Sequence, residues 1–377
     1  MNIIKKGAIL AFRGAMGLAY GVMKLLTPQK NRVVFLSRQQ DTPSANFIHI
    51  SQELDKLEPG IELCYSCKLG LKSELGLSYI VLMLRQLALL AGARACITES
   101  YCPPISLFRH RRGMRVVQIW HSMVAIKKFG WQTVGMLEGS DEDTARLMKM
   151  HAGYDYVITG SEFQKKFMAE AMNTPAERIL PLGLPCADRL MSTRREAFRE
   201  ELQRAYPQIT ADKRVVLYLP TMRRGRAVPT EGIAECLGEN DVLIMRKHPI
   251  DRHTVIDGEV IIDGEKLSTG VLLRAADCVI SDYSGAAAEA SLMDVPVYFY
   301  TPDEALYSEE CGLNIRPSEV FPAITADSPE ALKKLLSSPY PQGEAERLRE
   351  LLAGGCDGHS AENIARLALG LPLEGRE

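Results

Sequence analysis

Residues 277–290 read DCVISDYSGAAAEA, and this stretch decides the fold that the sequence predicts. An apolar run, 277–283, leads through a Ser-Gly turn into a helix that starts with three alanines. A strand followed directly by a helix is the repeating unit of a parallel α/β sheet. The small residues at the turn would let a phosphate group approach the unpaired N–H groups at the start of that helix.

The same alternation extends on both sides of this stretch and forms two series. The expected strands lie at 32–37, 61–66, 95–98, 115–120 and 155–160, and then at 214–220, 241–249, 260–263, 277–283 and 295–300. The expected helices lie at 44–57, 74–91, 162–172, 229–237, 267–276, 285–293 and 343–371. We therefore expect an α/β protein of two Rossmann-like domains that face a cleft, with ligands at the carboxyl ends of the strands.

A segment with prolines and a glycine, 181–195, separates the two series and suits an interdomain linker. We expect an amphipathic helix over 1–30, an N-terminal domain over 31–185 and a C-terminal domain over 186–377. The last helices of the chain could also pack back on the N-terminal domain.

Composition restricts the class of protein. A chain of 377 residues is too long for one ordinary core, which supports two domains. The 45 basic and 47 acidic residues leave a formal charge of −2, so nucleic acid is not an expected partner. The nine cysteines are odd in number and irregularly spaced, which predicts reduced thiols. Cys64 and Cys67 have no second pair at zinc spacing, so no metal site is expected.

The first segment, 3–26, is strongly apolar but carries basic residues. On a helix, Lys6, Arg13 and Lys24 fall on one face, and the opposite face is apolar. No uncharged run reaches the roughly 18 residues that cross a bilayer, and Arg13 interrupts the stretch that a signal peptide needs. The pattern predicts a basic amphipathic helix in the membrane interface. The alternative is a helix that caps the N-terminal core.

Polar residues surround the predicted strand 115–120. His121 directly follows it, at a place suited to taking a proton, although such a histidine is more often structural. Lys127 and Lys128 come shortly after it and could face an anion. A basic cluster precedes the strand and could attract anionic headgroups, or form only a solvated loop. This cluster contains Arg109, Arg111 and Arg112.

Two basic loops follow strands of the second series, TMRRGR at 221–226 and RKHPIDR at 246–252. Arginine fork donors together with a histidine suit a diphosphate, whereas each loop alone could be a solvated surface. In the opening stretch, Ser284 could cap the helix or donate to a phosphate. Glu289 would lie about one turn further on, where its carboxylate could accept hydrogen bonds from ribose hydroxyls.

These motifs resemble those of the CDP-glycerol glycerophosphotransferases, the teichoic acid primases and polymerases of bacterial cell envelopes. Trp120-His121-Ser122 with Lys127-Lys128-Phe129-Gly130 is similar to the WHG…KKxG motif of that family. Three further motifs match it in order and spacing: Pro220-Thr221, Lys247-His248-Pro249, and Ser281-Asp282-Tyr283-Ser284 with the strand after it. The resemblance covers about residues 31–310.

The resemblance implies a glycosyltransferase-B-like (GT-B-like) fold in which the C-terminal half holds CDP-glycerol. His121 would take the place of the family's proposed catalytic base, and His248, the second catalytic residue, would meet the pyrophosphate together with Arg252. The residues expected on the donor side are Thr221, Arg223, Arg246, Arg252, Ser268, Thr269, Ser284, Gly285 and Glu289. Those expected on the acceptor and membrane side are Lys127, Lys128, Arg109, Arg111 and Arg112.

Three positions depart from the family pattern. Ser122 replaces the usual glycine, which affects the expected acceptor-side geometry. Gly285 replaces a second serine and removes one hydroxyl that could contact phosphate. Glu289 stands where an aspartate is common and lengthens the arm of the carboxylate.

The implied reaction moves glycerol phosphate from CDP-glycerol to a hydroxyl of a membrane lipid-linked disaccharide, undecaprenyl-diphosphate carrying GlcNAc and ManNAc, and releases CMP. It would occur on the cytoplasmic face of the bacterial membrane, with the protein bound peripherally and with no obligatory cofactor. Mg²⁺ on the donor diphosphate stays open, as does the oligomeric state. The short chain favours a primase. The alternatives are a glycerol- or ribitol-phosphate polymerase, a sugar-nucleotide glycosyltransferase and an inactive nucleotide-binding membrane scaffold.

Overall fold

The chain forms two compact units. The computed structural model describes residues 3–70, 76–136, 139–192, 195–223, 225–247, 251, 253–256, 258, 260–263 and 266–373. Unit 1 comprises Met1–Met123, Lys128–Asp188 and Gly355–Glu377, and unit 2 comprises Val124–Lys127 and Arg189–Gly354. Most of unit 2 is therefore inserted into the sequence of unit 1.

Each unit is built on a six-stranded parallel sheet. The strands are β1 Arg32–Ser37, β2 Glu62–Cys67, β3 Ala95–Thr98, β4 Arg115–Gln118, β5 Tyr156–Thr159, β6 Ile179–Pro181, β7 Arg214–Leu219, β8 Asp241–Met245, β9 Val260–Ile262, β10 Cys278–Ser281, β11 Val297–Tyr300 and β12 Thr325–Ala326. The order is β2-β1-β3-β4-β5-β6 in unit 1 and β12-β11-β10-β7-β8-β9 in unit 2. Two parallel sheets with helices, together with the N-terminal helix, confirm the predicted fold class.

The helices connect and cover these strands. They are α1 Ile3–Leu26, α2 Ala45–Leu57, α3 Leu77–Ala91, α4 Pro103–Leu107, α5 Glu142–Leu147, α6 Lys165–Met172, α7 Pro185–Ser192, α8 Arg195–Ala205, α9 Thr269–Ala275, α10 Ala286–Ser291, α11 Glu304–Cys311, α12 Pro317–Val320, α13 Pro329–Leu336, α14 Glu344–Ala353 and α15 Ser360–Leu369.

The central strands are buried because helices cover both faces of a parallel sheet. In β1 the residues from Val33 to Ser37 are all buried, and in β7 those from Val215 to Leu219 are all buried. This is why continuous apolar runs, rather than alternating ones, located these strands in the sequence. The helix α2 begins where the Ser44 hydroxyl accepts a hydrogen bond from the N–H of Phe47.

The sequence did not predict the sixth strand of either sheet, β6 or β12, and three of the expected elements differ in the structure. The expected helix 229–237 holds only a short 3₁₀ turn, Ala234–Cys236, and Gly232 before it adopts a φ of +70°. The expected linker 181–195 contains α7. The expected helix 343–371 is two helices, α14 and α15, separated by a segment that begins with two glycines.

The last helix, α15, belongs to unit 1, where it packs on α2 and β4. The carboxylate of Asp188 caps its start by accepting hydrogen bonds from the N–H groups of Ser360 (3.1 Å) and Ala361 (2.9 Å). Near its end, a guanidinium N–H of Arg94 donates to the carbonyl of Leu369 at 2.9 Å. Unit 1 therefore depends on a segment that follows all of unit 2 in the sequence.

The N-terminal helix α1 packs against α3 with one side and leaves its other side exposed. Met16 and Tyr20 are buried, and Arg13 donates to the carbonyl of Leu147 at 2.6 Å. The exposed residues of the helix are mostly apolar. They include Ile4 (79% exposed), Leu18 (73%) and Leu25 (88%). By length and composition alone, Lys6–Leu26 could cross a membrane.

Candidate functional site

The strand orders define one candidate crevice in each unit. In unit 1 the chain passes from β1 to β2 on one side and then to β3 on the other. In unit 2 it passes from β7 to β8 on one side and later to β10 on the other. Open parallel sheets bind ligands outside the carboxyl ends of strands where the order reverses in this way. Ligands are therefore expected at the ends of β1 and β3 in unit 1 and at the ends of β7 and β10 in unit 2.

In unit 1, His121 lies just beyond β4, the strand next to β3, and is exposed. The strand ends because Trp120 adopts a φ of +56°, a left-handed conformation that is uncommon for a bulky residue. The side chain of Gln118 accepts a hydrogen bond from the N–H of Trp120 at 2.9 Å and stabilises this turn. The amide nitrogen of Gln39, after β1, lies 3.2 Å from Nδ1 of His121.

An aromatic cluster supports this turn. The ring of Trp120 stacks on Phe129 with centroids 4.9 Å apart and meets the ring of His151 edge-on at 5.5 Å. Burial lowers the pKa of His151 to about 4, and the nearby His121 acts in the same direction. His151 is therefore neutral near pH 7. Gly130 has a φ of +57°, and a Cβ atom there would clash with the carbonyl oxygen of Ala171.

Lys127 and Lys128 are both exposed. Lys127 forms an antiparallel bridge with Leu313, and the side chain of Asn314 donates to the carbonyl of Ala125 at 3.0 Å. Because of these contacts, Val124–Lys127 belongs to unit 2, whereas the sequence predicted it in the N-terminal domain.

The basic cluster before β4 has two kinds of residue. Arg109 and Arg112 are exposed, and their role at a surface that meets anions stays a prediction. Arg111 instead donates to backbone carbonyls, to that of Ala91 at 2.8 Å and to those of Lys24 and Thr27. It fastens the end of α1 to unit 1 because these carbonyls need donors that the helix itself cannot supply. Its expected place on the membrane side is therefore corrected.

In unit 2, Asp282 joins the ends of β7 and β10. It is fully buried and accepts hydrogen bonds from the N–H of Thr221 (2.9 Å) and from its hydroxyl (2.7 Å). The N–H of Tyr283 also donates to it. Thr221 thus lies at the predicted edge of the sheet, with its hydroxyl used to hold the loop.

Arg223, which the sequence placed against the donor phosphates, has a fully buried side chain. Its guanidinium pairs with Asp282 at 2.9 Å and with Asp303 at 2.8 Å. It also lies 5.0 and 4.4 Å from the ring centroids of Tyr283 and Tyr307, which stack on each other. Burial opposes its charge, but the hydrogen bonds and charges of the two carboxylates outweigh this and raise the pKa of Arg223. The predicted contact is corrected because these partners occupy the guanidinium and hold three loops together.

Arg246 also acts within the protein. Both terminal nitrogens of its guanidinium donate to the carbonyl of Leu267, at 2.7 and 2.6 Å, and one lies 3.2 Å from Asp263. This holds the residue before Ser268, whose hydroxyl accepts the N–H of Val271 and caps α9. Ser268 is exposed, and Thr269 after it is the first residue of that helix.

At the end of β10, Gly285 rather than Ser284 directly precedes α10, and its dihedral angles are already helical. The hydroxyl of Ser284 accepts the N–H of Ala286 at 3.3 Å. Burial raises the pKa of Glu289, and the charge of Arg274 offsets part of this effect. Glu289 lies one turn into α10, as predicted.

His248 and Arg252, expected at the pyrophosphate, lie outside the described residues. Within the described ranges, no three His, Cys, Asp or Glu side chains come together as a metal-binding group. The sequence reasoning missed four residues: Gln39, Glu99, His151 and Asp303. Of these four, only Glu99 could have been found from the sequence. Like Asp282, it is an acidic residue directly after a buried strand.

Two open parallel sheets, each with polar side chains where its strand order reverses, define a two-Rossmann protein suited to group transfer from a nucleotide donor. The profile of the family described as CDP-Glycerol:Poly(glycerophosphate) glycerophosphotransferase matches residues 19–370, so the chain belongs to that family. This confirms the resemblance drawn from the motifs and places the chain among the transferases of teichoic acid synthesis.

Similar proteins agree with this assignment. A teichoic acid ribitol-phosphate primase of Bacillus spizizenii is 30% identical over 315 residues, which cover 79% of this chain and 80% of that protein. A teichoic acid glycerol-phosphate primase of Bacillus subtilis is 24% identical over 292 residues, 75% of each chain. A structure of the wall teichoic acid polymerase TagF has a TM-score of 0.68 at 16% identity and covers 98% of both chains, which supports the fold.

Proposed function

We propose that the protein transfers glycerol phosphate from CDP-glycerol to an acceptor hydroxyl and releases CMP. The observation that carries this proposal is the placement of the family's motifs. They lie at the carboxyl ends of strands beside the point where the strand order reverses, at His121 in unit 1 and at Thr221 and Ser284 in unit 2. A family profile with motifs at such positions favours transfer from a nucleotide donor.

The donor would lie beyond β7 and β10. The backbone N–H groups around Gly285 and the hydroxyl of Ser284 are suited to phosphate oxygens, and Glu289 to ribose hydroxyls. Ser268 and Thr269 would bound the same edge at the start of α9. Asp282, Arg223 and Arg246 would act indirectly, by fixing the loops that carry these groups. His248 and Arg252 remain proposed pyrophosphate contacts on the strength of the resemblance.

The chemical step is an in-line attack on the β-phosphorus of CDP-glycerol. A bond forms between the acceptor oxygen and that phosphorus, and the bond to the bridging oxygen breaks, so that CMP leaves with this oxygen. His121 takes the proton of the acceptor hydroxyl. Cationic side chains offset the charge on the phosphates, and Mg²⁺ bound to the diphosphate would supply further positive charge.

The acceptor we propose is a lipid-linked disaccharide that receives one unit, as in a primase. The primases of Bacillus spizizenii and Bacillus subtilis support this, since the match covers 80% and 75% of their own lengths. Ribitol phosphate is the second candidate, because the relative from Bacillus spizizenii that is 30% identical over 315 residues is named a ribitol-phosphate primase.

A donor screen tests the proposal. The protein is incubated with the lipid-linked disaccharide and with CDP-glycerol, CDP-ribitol or UDP-sugars, and the released nucleotide is measured. We expect CMP from CDP-glycerol and a single added unit when the donor is in excess. CMP from CDP-ribitol alone would favour the second candidate, and a ladder of products would favour a polymerase. Release of UDP would indicate a glycosyltransferase, and binding without turnover would indicate a scaffold.

We also propose that α1 lies in the plane of the cytoplasmic membrane surface and brings the protein to its acceptor. Its apolar residues Leu18 and Leu25 face outward, whereas Arg13 and Lys24 bond to carbonyls of unit 1. A helix held to the protein along its length is suited to the interface rather than to crossing a bilayer. The exposed Arg109 and Arg112 would add attraction to anionic lipids.

Vesicle co-sedimentation tests this location. The double substitution Leu18→Glu with Leu25→Glu should release the protein from vesicles of phosphatidylglycerol and phosphatidylcholine without unfolding it, because both side chains are exposed. Leu306→Glu is the matched control, since Leu306 is 46% exposed on α11 in unit 2. Equal binding by the double variant and the control would contradict the proposed contact.

A further inference from the structure

The loop between β1 and α2 brings an amide side chain to the proposed base. Gln39 lies two residues beyond β1, and its amide nitrogen is 3.2 Å from Nδ1 of His121. The two residues are 82 positions apart in the sequence. Since β1 and β3 flank the reversal of strand order in unit 1, this loop borders the crevice in which such a sheet binds ligands.

A buried carboxylate holds both ends of this loop. Glu99, directly after β3, is 3% exposed. Its two carboxylate oxygens accept hydrogen bonds from the hydroxyls of Ser37 (2.6 Å) and Ser44 (2.7 Å). The hydroxyl of Ser37 in turn accepts the N–H of Gln39 at 3.1 Å. The backbone that carries Gln39 is therefore already ordered, which reduces the entropy lost when its side chain contacts the imidazole.

We propose that Gln39 is a positioning residue that determines which ring nitrogen of His121 takes the proton of the acceptor hydroxyl. The proposal rests on the proposed role of His121 as the base. An imidazole that has taken a proton carries N–H groups on both nitrogens, so the group beside Nδ1 must then accept a hydrogen bond. With the amide nitrogen toward Nδ1, Nδ1 accepts the hydrogen bond and the neutral ring carries its proton on Nε2. A half-turn of the Gln39 amide exchanges its nitrogen and oxygen, presents Oε1 to Nδ1–H and leaves the lone pair of Nε2 as the base. Nε2 is then the nitrogen that receives the proton.

An amide suits this task better than a carboxylate would. A carboxylate beside the ring favours the imidazolium form and would leave the base protonated at a higher pH. A neutral amide orients the ring through its dipole without adding a charge. A substitution of Gln39 that removes the hydrogen bond and one that adds a charge should therefore affect His121 differently.

Three variants separate these effects. Gln39→Leu removes the hydrogen-bonding group, and we expect kcat for CMP release to fall roughly ten- to a hundredfold with KM for CDP-glycerol unchanged. Gln39→Glu adds a charge, and we expect the acidic limb of the pH–rate profile to move upward by about one pH unit. Gln40→Leu is the matched control on the same loop, since the exposed side chain of Gln40 donates to the carbonyl of Thr42. It should change neither quantity.

Nuclear magnetic resonance of ¹⁵N-labelled histidine gives a readout that does not depend on turnover. The signals of His121, one of seven histidines, are those missing from His121→Ala. We expect Gln39→Leu to lower the population of the Nδ1–H tautomer and Gln40→Leu to leave it unchanged. A wild-type tautomer and wild-type kcat in Gln39→Leu would overturn the proposal. An altered tautomer in a protein that releases no CMP from any CDP-polyol would support the control of the ring by Gln39 and overturn the role of His121 as base.

Discussion

The two candidate crevices are held together by different means. In unit 2, the loops after β7, β10 and β11 are joined by a buried ion network of Arg223, Asp282 and Asp303. In unit 1, His121 lies 3.2 Å from the amide nitrogen of Gln39, and its ring lies 4.2 Å from that of Trp120, which in turn contacts the neutral His151. Fixed charges hold the loops of unit 2 in place, whereas the neutral amide beside His121 adds no charge that would favour one protonation state of its ring.

Removing the proposed base is the strongest test of the difference between the two units. His121→Ala should lower the rate of transfer by about 10²–10⁴-fold, because general base catalysis is lost. CDP-glycerol binding should be largely preserved, since the proposed donor groups belong to unit 2. Activity assays with isothermal titration calorimetry measure both. An equal loss of donor affinity would contradict the division of roles between the units.

The ion network should be the main stabilising feature of the unit 2 loops. Arg223→Met leaves two carboxylates without their buried partner and should lower the free energy of unfolding by about 3–5 kcal/mol. Urea denaturation monitored by circular dichroism measures this. CDP-glycerol affinity should fall as well, because the loops that carry Thr221 and Ser284 lose their common anchor.

Arg226→Met is the matched control for that substitution. Arg226 also pairs with Asp303, but the side chain of Arg226 is 28% exposed. Its second partner is the exposed carboxylate of Glu310. We expect a loss of about 1 kcal/mol or less. A similar loss in both variants would show that burial does not distinguish the two arginines.

The neutral state of His151 can be tested by pH. Its pKa is about 4 in the folded protein, against 6.5 for the unperturbed group, because burial disfavours the charged ring. Below pH 6.5 the unfolded chain binds a proton that the folded protein does not, so stability falls as pH falls towards 4. From pH 7 to pH 5 this contribution amounts to about 2 kcal/mol.

The comparison of wild type with His151→Phe isolates this effect from other titrating groups. The aromatic replacement keeps the ring contacts with Trp120 and removes the proton-binding site. Its stability should change less than that of the wild type between pH 7 and pH 5 in urea denaturation. Parallel pH dependences would show that His151 is not buried in its neutral form.

The smallest expected effect on stability concerns two glycines in the backbone near His121. Gly130→Ala and Gly135→Ala both place a side chain at positive φ, +57° and +83°, but only the first meets the carbonyl of Ala171. Gly135→Ala should therefore show strain alone, about 1 kcal/mol, and Gly130→Ala about 1–2 kcal/mol more. Thermal unfolding of the pair measures the difference. Equal losses would mean that the close approach is relieved by a small shift.

Much of the fold follows from local sequence patterns. The runs 32–37 and 95–98 coincide with β1 and β3 because buried parallel strands need uninterrupted apolar residues. The expected helix 229–237 fails because Gly232 and Gly238 lie within or beside it, and the propensity of the residues between them is not enough to propagate a helix.

The candidate site was less accessible to such patterns. His121 and Ser284 could be located because each directly follows a strand. The role of Arg223 could not be predicted, because its partner Asp303 is 80 residues away in the sequence and follows a different strand, β11. The contact between Gln39 and His121 likewise depends on which strands become neighbours. A local motif shows that an arginine or an amide is present, but not which charge the fold brings to it.

The position of α15 has a consequence for synthesis on the ribosome. Unit 1 needs the contacts of Asp188 with the start of α15 and of Arg94 with its end. Its sheet is translated early, yet its last helix emerges only after residues 189–354 have been made. A nascent chain stopped before residue 355 would expose the surfaces of α2 and β4 that α15 covers. Completion of the amino-terminal half is thereby coupled to production of the carboxyl-terminal half.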